Sequence, residues 1–181
     1  MTFSKRQIKA AQAGSEAGDF DSLFQENWAR ICALLFRLVG DWSEAEDLAL
    51  DVFWRLYQRP PRSNHNLSGW LYRVATNLGF NALRSRRRRR EYEEQAGYEA
   101  LEHASPSDPA EVIQRRQTAE SVRDTLSQMK PRSASILILR HSGMSYAEIA
   151  EALDLAPGSI GTLLARAERE FEANYPQSDD R

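Results

Sequence analysis

Trp70-Leu71-Tyr72-Arg73-Val74-Ala75-Thr76-Asn77-Leu78-Gly79-Phe80-Asn81-Ala82-Leu83-Arg84 carries two stripes at helical spacing. Leu71, Val74, Ala75, Leu78 and Ala82 form one, and Arg73, Asn77, Asn81 and Arg84 form the other. One face packs, and the other presents amides and guanidinium groups. Such amides can read a base edge in a duplex or hydrogen-bond an extruded base, while the arginines hold phosphate. The stretch leads into Arg84-Ser85-Arg86-Arg87-Arg88-Arg89-Arg90, and the wider segment from Val52 to Arg90 contains ten arginines and no aspartate or glutamate. Phe53, Trp54, Tyr57, Trp70, Tyr72 and Phe80 are interleaved with that charge, a mixture suited to phosphates and unstacked bases. An arginine run alone is commonly a solvated tail or a sorting signal. Here a two-faced helix precedes it, which a tail does not require.

The rest of the chain balances this segment. The protein has 24 basic and 26 acidic residues, so the ten arginines here leave 14 basic against 26 acidic residues elsewhere. With 181 residues and 41% hydrophobic content, the chain can build real cores in one or two domains. Cys32 is the sole cysteine, set in the apolar run Ile31-Cys32-Ala33-Leu34-Leu35-Phe36. It therefore reads as a small buried hydrophobe, with no intramolecular disulfide or cysteine-rich zinc site. His65, His103 and His141 lack metal-ligand spacing, and no Walker-type loop or Gly-x-Ser-x-Gly elbow is present. Nothing argues for catalysis, and no cofactor is implied. The longest apolar run is far short of the ~20 residues that cross a bilayer, and the amino terminus has no signal-peptide pattern. The expectation is a soluble cytoplasmic protein without membrane insertion.

Periodicity makes the chain all-α. Residues from about Ser4 to Ala17 are weakly helical, and Gly14 and Gly18 predict a break before an apolar helix built on Phe24, Trp28, Ile31, Leu35 and Leu38, ending at Gly40. Asp41-Trp42-Ser43 opens the next helix, where Ser43 and Glu46 predict a capping box. Leu48, Val52, Phe53, Leu56 and Tyr57 supply its apolar positions, and Asp47, Asp51 and Arg55 recur on another face, a solvated stripe or a docking surface. Pro60-Pro61 and Asn64-His65-Asn66 belong to a polar loop before the Trp70 helix. The acidic stretch after the arginines reads as a mobile linker.

Asp108-Pro109-Ala110-Glu111 restarts helix with a cap and a first-turn proline. Val122, Leu126 and Met129 make an apolar stripe that Pro131 stops. Ser135-Ile136-Leu137-Ile138-Leu139 has strand propensity but no partner strand, so helix is predicted, ending at Gly143. Ser145 and Glu148 predict a second capping box. Ile149, Ala150, Leu153, Leu155 and Ile160 then have the spacing of a helix-turn-helix, with its turn at Asp154 and Pro157 in the first turn of the second helix. Two small helical domains are expected, at residues 1–90 and 108–175, with a linker at 91–107 and a tail at 176–181.

Ser43-Glu44-Ala45-Glu46-Asp47-Leu48 through Tyr57, then Gly69-Trp70-Leu71-Tyr72-Arg73-Val74-Ala75-Thr76-Asn77, the arginines, and Met144-Ser145-Tyr146-Ala147-Glu148-Ile149-Ala150 occur in order. Together they resemble the extracytoplasmic-function group of bacterial sigma factors, from about Ala10 to Phe171. The resemblance implies that Asp47, Leu48, Asp51, Phe53 and Leu56 dock on the clamp helices of the beta-prime subunit of core RNA polymerase. It implies that Arg62, Asn64, Arg73, Asn77, Asn81, Arg84, Arg86 and Arg87 serve minus-10 recognition and melting of promoter DNA, with Asn77 at a base flipped from the non-template strand. The helix-turn-helix would read the minus-35 element through Ser159, Gly161, Thr162, Arg166 and Arg169 while touching the beta flap. The acidic linker would run near the RNA channel, and an anti-sigma factor is a further expected partner.

Two departures from the family pattern shape these expectations. Gly161 and Leu163 stand where the family commonly has Lys and Arg, and Arg166 and Arg169 face Glu168, Glu170 and Glu172 in sequence. Minus-35 reading is therefore expected to be weak or shape-based, with more specificity left to the amino-terminal domain. In the melting loop, Pro60-Pro61 and Asn64-His65-Asn66 replace the family's usual phenylalanine and acidic residues. The competing readings are a free-standing helix-turn-helix regulator, which needs a dimer interface and a basic recognition helix, and an arginine-rich RNA-binding protein. Charge reversal at Asp47 and Asp51 separates them, because only a polymerase-docking protein depends on that face.

Overall fold

The computed structural model describes residues 5–61, 66–96 and 110–176, with side chains from Phe20 onward except those of Glu94 and Ala110. Helices α1 (Lys5–Val39), α2 (Trp42–Gln58) and α3 (Leu67–Gln95) pack mutually as one bundle. Helices α4 (Ala110–Gln128), α5 (Pro131–His141), α6 (Tyr146–Leu153) and α7 (Ile160–Asn174) build the second half. No strand occurs among the described residues, so the all-α expectation holds, including the helix through Ile136 and Leu139.

The expected break near Gly14 and Gly18 is absent, and α1 is one 35-residue helix. A glycine costs a helix interior only about 1 kcal/mol, which the alanines at 10, 11, 13 and 17 help to offset. At the other end Gly40 terminates α1 with φ +76°, its N–H donating to Phe36 O at 2.8 Å. That left-handed turn leaves Asp41 extended, and Asp41 caps α2 by accepting the Glu44 N–H at 2.8 Å. The Ser43–Glu46 box is therefore corrected: Asp41 is the first residue with N-cap geometry, and the Glu46 carboxylate accepts the Trp42 indole N–H at 2.9 Å instead.

Aromatic contacts weld α1 to α2. Phe24 stacks on Trp28 at 5.0 Å and meets Phe53 at 4.8 Å. Helix α3 enters this bundle through Gly79, where an added Cβ would lie 2.5 Å from a Leu38 methyl, so the helices approach closely only because that position lacks a side chain. Buried Asn27 donates to Leu23 O at 2.9 Å and accepts the Ser68 hydroxyl at 3.2 Å, tying α1 to the first turn of α3. Helix α3 does not stop at Arg90. It runs through to Gln95, across the expected start of the linker.

In the second half, α5 buries Ala134 through Leu139 and packs on the Ile160, Leu164 and Ala167 face of α7. Lys130 offers α5 no side-chain cap. Glu170 of α7 supplies it, accepting the Lys130 N–H at 2.8 Å and the Ser133 hydroxyl at 2.7 Å. The expected Ser145–Glu148 capping box is present in both directions, at 2.7 and 3.3 Å. Asp154 ends α6 in the left-handed region at φ 55°, placing the turn where the sequence put it. Pro157 opens a separate 3-10 turn, Pro157–Ser159, that runs into α7. The Asp108–Pro109 helix start lies outside the described residues, as do 97–107 of the expected linker and 177–181 of the tail.

Candidate nucleic-acid interface

Helix α3 turns its apolar stripe inward and its amide stripe out. Leu71 and Ala75 are fully buried, while Asn77 and Asn81 are exposed one helical turn apart. Neither asparagine side chain has a protein hydrogen bond recorded among the described residues, so both amides face solvent ready to pair with a base edge. Arg84 lies over the Phe80 ring at 5.6 Å, with one terminal nitrogen buried and unpartnered. Arg62 and Asn64 lie outside the described residues.

Most of the remaining basic groups on α3 hold protein rather than open surface. Arg73 donates through Nε to Ala152 O at 2.6 Å and through a terminal nitrogen to Glu151 O at 3.5 Å. Arg86 donates to Val39 O at 2.5 Å, closing the carbonyl end of α1, and pairs with Glu44 at 3.0 Å. Arg87 pairs with Glu91 at 2.7 Å and reaches Ser127 at 3.4 Å, and Arg90 pairs with Asp124 at 2.5 Å. Arg88 and Arg89 are exposed.

The docking face of α2 is corrected by burial. Asp47 and Asp51 are exposed as expected and Leu48 is half-buried, but Phe53 is 2% and Leu56 5% exposed, inside the core. They share their face with Ala45, Ala49 and Val52, which the helical period places together. The residues that accompany the two aspartates outside are Leu50, Trp54 and Tyr57, with Trp54 56% exposed and stacked at 5.8 Å on Tyr57. A shallow pocket runs from Leu50, Asp51 and Trp54 to Phe20 and Phe24. Acid beside exposed aromatic and aliphatic groups is the chemistry of a protein-binding patch.

On the helix-turn-helix, Thr162, Arg166 and Arg169 are exposed along α7 and Ser159 is half-buried, its hydroxyl turned back to Ala156 O at 2.7 Å. Gly161 is half-buried against the Tyr146 ring, 3.6 Å from where a Cβ would stand. Tyr146, with Arg140 over its ring at 5.5 Å, is an exposed group beside α7 that sequence reasoning missed; its place at the first position of a capped helix was the available signal. Of the three expected acids on α7, Glu170 is committed to capping α5. The Lys130 N–H and the Ser133 hydroxyl hold its carboxyl below the usual range. Hydrogen bonds from Ser145 do the same for Glu148. Among the described residues no helix is long and apolar enough to cross a membrane, and no cluster of metal-ligating side chains occurs.

A bundle with an amide face and an acidic aromatic patch, followed by a helix-turn-helix, defines a two-part helical transcription factor. Residues 23–89 match Sigma-70 region 2 and residues 119–171 match Sigma-70, region 4. The RNA polymerase sigma factor YlaC of Bacillus subtilis is 29% identical over 161 residues, covering 87% of this chain and 92% of that protein. The ECF RNA polymerase sigma factor SigG of Mycobacterium tuberculosis is 28% identical over 196 residues, covering 93% of this chain but 52% of that longer protein, so the chain spans about half of it. The structure of CnrH in complex with the cytosolic domain of CnrY shares the fold, at TM-score 0.58 and 19% identity, covering 92% of this chain and 94% of that one. This chain belongs to the extracytoplasmic-function group of the sigma-70 family.

Proposed function

We propose that this protein is a sigma factor that binds bacterial core RNA polymerase and directs promoter-specific initiation, through minus-10 melting and minus-35 contact. The observation that carries the reading is the pairing of exposed Asn77 and Asn81 on α3 with the exposed Asp47, Asp51 and Trp54 face of α2. Docking uses the α2 face, with Leu50, Trp54 and Tyr57 in place of the buried Phe53 and Leu56, against the clamp helices of the beta-prime subunit. Melting costs a few kcal/mol per unstacked base, and hydrogen bonds from Asn77 and Asn81 to an extruded base offset that cost. Thr162, Arg166 and Arg169 meet the minus-35 element, with the second half of the chain against the beta flap. The protein acts in the cytoplasm and supplies no chemistry of its own. An anti-sigma factor is the expected regulatory partner, as in the complex of the sigma factor RpoE with the anti-sigma factor NepR from Bartonella quintana.

The test is complex formation between the full chain and bacterial core RNA polymerase, comparing wild type with Asp47→Lys plus Asp51→Lys. Tight binding that the double variant loses supports the reading. A folded wild type that does not bind a cognate core enzyme overturns it.

A further inference from the structure

Where the end of α1 meets α4, α5 and α7, the side chains leave a cavity of about 550 Å³. Its walls are apolar: Val122 and Leu126 of α4, Leu137 and Ile138 of α5, and Phe171 of α7. Phe36 of α1 closes the fourth side, 40% exposed and edge-on to the half-exposed Trp42 at 5.4 Å. A volume of roughly 300–1,000 Å³, apolar walls and a few convergent polar groups are what small-molecule sites have in common. The polar groups here are sorted by side. Arg37 and Arg123 stand where α1 meets α4, Glu168 and Glu172 stand on α7, and His141 ends α5. Glu168, Glu172 and His141 are exposed to water. Arg123 is half-buried, its guanidinium so close to Gly40 that an added Cβ there would lie 2.7 Å from it. No hydrogen bond or ion pair of that guanidinium is recorded among the described residues. Burial lowers its pKa from the ordinary arginine value, against the opposing pull of Glu120. Arg37 is exposed and bonds the Ser142 hydroxyl at 3.3 Å. A cation partly stripped of water and left without a bonded anion carries a cost that an incoming carboxylate removes.

We propose that this cavity binds a small amphipathic carboxylate, its apolar body on the Val122, Leu137 and Phe171 walls and its head group on Arg123 and Arg37. The head goes to the arginine side because Glu168 and Glu172 repel it from the other. A docking protein helix fits less well, since its apolar face would cover the Arg123 guanidinium and leave it unpaired. The inference goes beyond the initiation-factor reading and does not depend on it. A ligand seated here touches one helix of the first half and three of the second. Its concentration therefore bears on how the two halves are held together.

The test titrates decanoate, below the concentration at which it forms micelles, into the full chain and follows heat release and melting temperature. Saturable binding with a Kd on the order of 0.1 mM is expected for a ligand of this size. The melting temperature should rise with it, because the unfolded chain has no such site. Decyltrimethylammonium, with the same chain and the opposite charge, should bind at least about tenfold more weakly. Arg123→Met keeps the stem and removes the charge, so it should weaken decanoate binding about tenfold and leave the helical circular dichroism unchanged. Ala119→Phe fills the cavity from the half-buried wall of α4 and should abolish decanoate binding at unchanged helix content. If that variant does not fold, the Arg123→Met comparison decides. Equal affinity for the two amphiphiles, or decanoate binding that survives both substitutions, would show an adventitious additive only and overturn the proposal. Absence of saturable binding overturns it too. Should Ala119→Phe then break up a dimer that the wild type forms in sedimentation, the cavity belongs to an interface between copies of this chain.

Discussion

Helices α3 and α7 are the two elements proposed to meet DNA, and they differ in what else they must hold. Helix α3 carries seven of the 21 arginines, yet Arg73, Arg86, Arg87 and Arg90 all bond to protein, leaving the uncharged Asn77 and Asn81, with Arg88 and Arg89, as its exposed recognition groups without such bonds among the described residues. Helix α7 has few basic residues, but Arg166 is exposed, Arg169 is exposed and bonds back to Ala165 O of its own helix at 3.1 Å, and the neighbouring Glu170 is withdrawn into a cap. Charge counted in a sequence is thus a poor measure of charge available to a ligand. A guanidinium near a helix carbonyl end is already satisfied, and releasing it requires a better acceptor.

The largest expected effect separates the two faces of α2, one packed on α1 and α3 and the other exposed. Phe53→Ala should lower stability by about 3–5 kcal/mol, seen as a large fall in melting temperature, because it empties the aromatic core against Phe24 and Trp28. Trp54→Ala should leave the melt nearly unchanged and weaken core-polymerase binding by roughly tenfold or more. Equal loss of stability in both variants would mean that the exposed face is not a docking face.

Next in size is the contrast between α3 and α7 themselves. Asn77→Ala should reduce open-complex formation, followed by permanganate reactivity of melted thymines, by about ten- to a hundredfold, the equivalent of about 1–3 kcal/mol for a base-reading amide. Thr162→Ala should change initiation by less than about threefold, since one hydroxyl on an exposed helix carries little. Reversed magnitudes would make α7 the main reader.

Smaller still is the cap that α7 lends to α5. Glu170→Ala should destabilise the chain by about 1 kcal/mol, measured by urea denaturation, as loss of a helix cap does. Acid titration sharpens the point. Glu148 and Glu170 both have carboxyls held below their ordinary value by hydrogen bonds. Their contribution is present above the unfolded-state value of about 4.3 and is lost as pH falls through the lower folded-state value. Glu148→Gln plus Glu170→Gln should therefore be less stable at neutral pH and show a shallower acid limb in thermal melts. An acid limb as steep as in wild type would show that these caps are not what titrates.

The parts of this architecture that local chemistry decides were readable in the sequence. The capping box at Ser145, the turn at Asp154 and the two stripes of α3 each depend on residues within a few positions of one another. Errors arose where the deciding partner was elsewhere or where two local signals competed. Phe53 and Leu56 enter the docking set through the family resemblance alone, while their period with Ala45, Ala49 and Val52 already marks the inward face. Asp41 displaced Ser43 as the cap because the left-handed Gly40 fixed where α2 could begin. The closure of α6 on Arg73 and of Asp124 on Arg90 had no sequence signal at all, since each joins residues far apart in the chain through geometry that burial elsewhere imposes.

The unbroken passage of α3 past Arg90 makes it a shaft. Its 29 residues extend about 43 Å at ~1.5 Å per residue, with Asn66 and Arg73 near one end and Arg87 and Arg90 near the other. A rod of that length does not bend cheaply, so the contacts along it are levers on one arm. The second half of the chain grips that arm at two places several turns apart, through Arg73 on α6 and through Arg87 and Arg90 on α4.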